Sequence, residues 1–103
     1  MKLFEKNLKI NNAILYFSND GCSLCYTEKK VIYDLENNIK QQIPFYLIDV
    51  HNQKDLVKEY EILSVPSIVF VKNGQKVDQF NKYLDGKQIR IAFTYYFGDL
   101  KNE

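Results

Sequence analysis

The chain has no tryptophan, one histidine, one methionine, two prolines, two cysteines and only four glycines in 103 residues. Each shortage excludes something. So few glycines and prolines rule out a collagen-like or low-complexity chain. Two cysteines rule out a disulfide-dense secreted scaffold. A structural zinc site wants four protein ligands, and Cys22, Cys25 and His51 fall short of that unless carboxylates complete the set. There is no excess of charge of either sign: fourteen basic against thirteen acidic residues leave a net charge of +1, with no cluster of lysines. Such a surface offers little to a phosphate backbone or an anionic membrane, so neither nucleic acid nor membrane is an expected partner. Long apolar runs are also missing. Met1-Lys2-Leu3-Phe4-Glu5-Lys6 interrupts its hydrophobic residues with charge, unlike a signal peptide, and no later segment approaches a membrane span. A cytoplasmic protein is expected, in a compartment where a lone cysteine pair is more readily catalytic than structural.

What is present is enough apolar material for one core. The composition is 46% hydrophobic, with eight tyrosines and seven phenylalanines, and a single domain over residues 1–103 is expected. Ile14-Leu15-Tyr16-Phe17 is a short continuous apolar run, as in a strand buried on both faces. After the polar loop Ser18 to Gly21, a helical pattern runs from Cys22 to about Lys40, with Ile32, Leu35 and Ile39 on the apolar side and Glu28, Lys29, Asp34 and Glu36 interleaved as the polar side. Phe45 to Val50 reads as a second strand, parallel to the first across a right-handed crossover. Asn52 is placed to cap a helix through Glu61 that turns Leu56, Val57 and Tyr60 inward. Ser67 to Val71 is a β-branched strand opened by Val65-Pro66, and Asn73-Gly74 predicts a tight hairpin to a partner over roughly Lys76 to Tyr83. Asp85 with Gln88 forms a capping-box pattern ahead of a last helix whose buried face carries Ile89, Phe93 and Tyr96 or Phe97. The order is β-α-β-α-β-β-α.

The chemistry lies in Cys22-Ser23-Leu24-Cys25. Both thiols fall in the first turn of a helix that follows a strand, where unpaired N–H groups and the positive end of the helix dipole stabilise a thiolate at the first cysteine. The spacing brings the two sulfurs within bonding distance over one turn. As a purely structural bridge the pair would enclose only two residues and stabilise little. A C-x-x-C beside a βαβ pattern is instead the signal of a redox pair.

This order, with C-x-x-C at the first helix and Ser64-Val65-Pro66-Ser67 ahead of the third strand, resembles the thioredoxin family over roughly Ala13 to Phe97. The resemblance implies an α/β thioredoxin-like fold: a central mixed sheet of about four strands, with room for a short extra N-terminal element within Met1 to Asn12, flanked by helices. It implies a thiol-disulfide oxidoreductase in which Cys22 attacks a substrate disulfide and Cys25 resolves the mixed disulfide. It also implies that Pro66 is cis and that Val65 pairs its backbone with an extended substrate segment. Disulfide-containing proteins would be the substrates and a thioredoxin-reductase-like protein the electron donor. The working form would be a monomer using no cofactor and no metal. Two alternatives stay open: an adaptor that docks extended segments at Val65-Pro66 with the dithiol as a redox sensor, and a glutaredoxin-like enzyme using a low-molecular-weight thiol.

The chain departs from the family's common pattern around the cysteines. Gly21 stands where a tryptophan is usual, and no proline separates Cys22 from Cys25. Members usually place a buried acid six residues before the first cysteine to move the resolving cysteine's proton; Tyr16 stands there, which predicts a core aromatic and slower resolution. Asp20 reads as a solvated turn residue that opposes thiolate formation if close to Cys22. Tyr26 follows the second cysteine in place of a basic residue, and Lys82 replaces a late glycine, so partner choice is expected to differ. His51 reads as a surface loop residue.

Overall fold

The computed structural model describes residues 1–5, 8–38 and 43–98. Its elements are β1 (Lys2–Leu3), β2 (Ala13–Ser18), α1 (Ser23–Glu36), β3 (Phe45–Asp49), α2 (Lys54–Glu59), β4 (Ser67–Lys72), β5 (Gln75–Phe80) and α3 (Gly86–Phe97). The sheet has five strands in the order β1-β3-β2-β4-β5, one more than the core four read from the sequence. The addition is the two-residue β1, which pairs in parallel with β3. Ile39 and Lys40, placed at the end of the first helix by the sequence pattern, lie outside the described residues.

β2 is the axis of the molecule. It pairs in parallel with β3 and antiparallel with β4, and all six of its residues are buried. Successive side chains of a strand point to opposite faces. Ile14 and Tyr16 therefore join Ile32, Leu35, Phe45, Ile68, Phe70, Leu84, Ile89 and Phe93 in the core beneath α1 and α3. Ala13, Leu15 and Phe17 join Ile48, Ile62, Val69 and Val71 on the other face, where Leu56 and Val57 of α2 pack. The result is three layers, helix on sheet on helix. Aromatic rings bind the first core: Phe93 stacks on Phe45 at 6.0 Å, and Phe97 stacks on Phe70 at 6.4 Å.

The predicted hairpin forms as expected, with Asn73 at φ 55° and Gly74 at φ 81°. Its tip is pinned to the entry of β2: Asn73 N–H donates to Asn12 Oδ1 (2.8 Å) and Gly74 N–H to the Asn11 carbonyl (2.8 Å). The capping box of α3 is also formed, Gln88 N–H donating to Asp85 Oδ1 (2.8 Å) and Asp85 N–H donating to Gln88 Oε1 (2.9 Å). α2 differs from expectation. Its N-cap is Gln53, with no side-chain bond, and Asn52 lies before it. Asp49 instead holds the turn that leads into the helix, its carbonyl accepting from both Asn52 and Gln53 N–H (3.0 Å each) and its carboxylate from His51 N–H (2.8 Å).

Candidate active site

The turn from β2 to α1 sets Cys22 in place. Asn19 Oδ1 accepts from Gly21 N–H (2.9 Å) and the Asn19 carbonyl from Cys22 N–H (3.3 Å), which fixes the approach to the helix. Cys22 is the N-cap of α1: its backbone is extended, and its sulfur accepts from Cys25 N–H at 3.0 Å. An N-cap acceptor normally carries an oxygen. Here a sulfur takes that place, so the helix terminus bonds directly to the atom that would carry thiolate charge. Cys22 is half-buried, whereas Cys25 is 1% exposed. A disulfide joins them, with Cα atoms 5.2 Å apart.

The Val65–Pro66 bond is cis. Ser67, the residue after it, pairs with Phe17 of β2, so Val65 and Pro66 lie at the end of the sheet where β2 leaves for Cys22. Pro66 is buried and Val65 half-buried. The buried Ser67 hydroxyl donates to the Ser64 carbonyl (2.7 Å), with Asn81 Oδ1 3.1 Å away, and Ser64 Oγ–H donates to the Asn81 carbonyl (3.4 Å). The proline turn is thereby tied to the segment that follows β5.

Glu28 is where the structure corrects the sequence. Its expected place was the solvent side of α1; it is 0% exposed, on the stripe of Cys25, Ile32 and Leu35. Its Oε1 accepts from the Tyr16 hydroxyl (3.0 Å) and its Oε2 from Leu84 N–H (2.7 Å). The Tyr16 oxygen also lies 3.4 Å from the Cys25 carbonyl. Burial raises the Glu28 pKa above the ordinary carboxylate value, and the bonds from Leu84 and Tyr16 oppose that rise. Burial, then the Glu28 charge and its hydrogen bond, push the Tyr16 hydroxyl far above the usual tyrosine range. Tyr16 is thus a core residue, as expected, and also the partner of a buried acid. The signal for Glu28 was in the spacing: steps of three, four and three residues connect Cys25, Glu28, Ile32 and Leu35, all on one helix face.

The other singled-out residues lie on the surface. Asp20, His51 and Lys82 are exposed. Tyr26 is 66% exposed, with Lys30 Nζ 4.8 Å above its ring. Among the described residues no group of three or more His, Cys, Asp or Glu side chains is placed to hold a metal ion, and no helix is long and apolar enough to cross a membrane.

With this geometry the comparisons with known proteins agree. The family model Thioredoxin matches residues 2–93. The chain belongs to the thioredoxin family. Among curated relatives it is similar to a thioredoxin of Acetoanaerobium sticklandii, 29% identical over 70 residues, 68% of this chain and 67% of that protein. A horse thioredoxin is 31% identical over 69 residues, 67% of this chain and 65% of that protein. Among solved structures, a mutant thioredoxin from Halobacterium salinarum superposes with a TM-score of 0.80 at 19% identity, over 92% of this chain and 87% of that one, and shares the fold. Thioredoxin homologues together with a C-x-x-C pair at disulfide distance support a thiol-disulfide oxidoreductase.

Proposed function

We propose that this protein reduces disulfides in protein substrates, with Cys22 as nucleophile and Cys25 as resolving thiol. The observation that carries this reading is the asymmetry of the pair: Cys22 is half-buried at the helix N-cap with an N–H on its sulfur, and Cys25 is buried one turn behind. The more accessible Cys22 sulfur forms the mixed disulfide with substrate, the buried Cys25 sulfur attacks Cys22 Sγ, and two substrate thiols leave while Cys22–Cys25 closes. Val65 and the cis Pro66 form the docking edge for an extended substrate segment. Exposed Leu63 and Leu24, at 91% and 53%, and Tyr26 supply apolar contact suited to a protein partner. The protein works as a single-domain monomer in a reducing compartment such as the cytoplasm, where a thioredoxin-reductase-like donor reopens the bridge.

The test is the equilibrium reduction potential of the pair, poised in dithiol and glutathione buffers and read by alkylation mass shift. A value near or below about −270 mV supports a reductase, and one near or above about −180 mV makes the protein an oxidant or isomerase. If no intramolecular disulfide forms at any poise, or if a Cys22→Ser variant keeps its protein partners, the adaptor reading replaces this one.

A further inference from the structure

The catalytic cycle leaves one buried group unused. Glu28 is fully enclosed, and among the described residues no cation pairs with it. A carboxyl is an expensive side chain to bury on an otherwise apolar helix stripe, and a leucine or isoleucine would fill the position at no electrostatic cost. Its two oxygens are held by two donors from different elements, Tyr16 on β2 and Leu84 just before α3. It sits one turn beyond Cys25 on the same helix face, and the Tyr16 hydroxyl bridges between Glu28 Oε1 and the Cys25 backbone.

We propose that Tyr16 and Glu28 act as one buried proton-handling pair that takes the proton of Cys25 when the mixed disulfide is resolved. The proposal rests on the oxidoreductase reading above. When Cys25 is to attack, its S–H bond breaks and the proton passes to the Tyr16 oxygen as the Tyr16 hydroxyl proton moves to Glu28 Oε1. The Cys25 lone pair forms the bond to Cys22 Sγ. The bond from Cys22 Sγ to the substrate sulfur breaks, and its electron pair leaves with the substrate as thiolate. That thiolate takes a proton from solvent, and Glu28 returns its own to solvent, so protons and electrons balance. The titratable group bonded to the carboxyl is Tyr16 from β2, with Cys25 one turn back on the same buried face of α1 and Tyr83, from the segment before α3, acting on Tyr16. The elevated pKa of Glu28 suits it to accept a proton closer to neutrality than an exposed glutamate does.

The test separates the two thiol steps. Reduced protein is mixed with excess of a symmetrical aromatic disulfide whose thiolate absorbs; attack by Cys22 releases one equivalent and resolution by Cys25 releases the second. In Glu28→Gln, which keeps size and acceptor for Leu84, the first release should stay within about twofold of the natural protein. The second should slow at least about tenfold near neutral pH and lose its inflection with pH. Tyr16→Phe keeps the carboxyl and cuts the path, so it should slow the second release as well; it decides the matter if Glu28→Gln does not fold. An unchanged second release with an unchanged pH profile, or equal slowing of both releases, overturns the proposal alone. If the natural protein fails to release a second equivalent, the oxidoreductase reading itself falls, and the proposal with it.

Discussion

Removing the Tyr16 hydroxyl should destabilise the fold by an amount that depends on pH, because its partner titrates. Tyr16→Phe deletes the donor 3.0 Å from Glu28 Oε1 and leaves the ring in the core. Below the ordinary glutamate pKa the carboxyl is protonated in both folded and unfolded chains, and the loss is one neutral hydrogen bond, about 0.5–1.5 kcal/mol. Above the folded pKa the carboxylate is buried with one donor fewer, and the loss is that of a bond to a charged group, about 1.5–3 kcal/mol. The sign follows from linkage. A carboxyl whose pKa is raised on folding binds more protons in the folded state, so it lowers stability as pH climbs from the unfolded value through the folded one. Since the Tyr16 bond opposes that rise, the variant widens the window and deepens the loss. The assay is urea unfolding of the oxidised protein near pH 4 and pH 8. With a slope of about 1–3 kcal/mol per molar, the extra cost of about 1 kcal/mol at pH 8 moves the midpoint by roughly half a molar beyond its displacement at pH 4. Equal displacements at the two pH values would refute an ionisable carboxyl held by this hydroxyl.

Three further outcomes are expected. Phe93→Ala empties a fully buried site between Phe45 and Phe97 and should cost about 3–5 kcal/mol, read as a lowered denaturation midpoint at unchanged slope. Asp85→Ala breaks the reciprocal cap of α3 and should cost about 0.5–2 kcal/mol by the same measurement, with Asp85→Asn recovering most of it. Cys25→Ser should trap the mixed disulfide at Cys22, visible as an adduct by intact mass, whereas Cys22→Ser should trap none; adducts on both variants would contradict the assignment of roles.

Most of the frame is legible in the residues because each element carries a local signal strong enough to survive packing. The continuous apolar run of β2, the Asn73-Gly74 turn and the Asp85/Gln88 box each have a physical cause within a few residues. β1 has none: two residues joined to β3 show no periodicity, and only the neighbouring strand makes them a strand. Asn52 has the better capping side chain and points to a start for α2 one residue too early, because the backbone of Asp49 holds the turn and leaves Gln53 as the N-cap. At the site, the cysteine pair is plain from motif and order, while the cis state of Pro66 follows only from the family resemblance that they carry. Glu28 was hidden by its charge. An acid among lysines reads as solvent-facing, and its burial depends on donors twelve and fifty-six residues away that no local window contains.

The two edges of the sheet decide how the protein behaves when it is abundant. At one side β1 offers only two exposed residues for pairing; at the other β5 presents an exposed start with Lys76 and a register irregularity against β4. A second copy approaching either margin finds too short a rail or a charged, twisted one, so neither of these described edges favours strand-by-strand growth into fibres. The same backbone that pairs β2 with β3 and β4 inside the sheet is thereby kept from pairing with another copy at its margins.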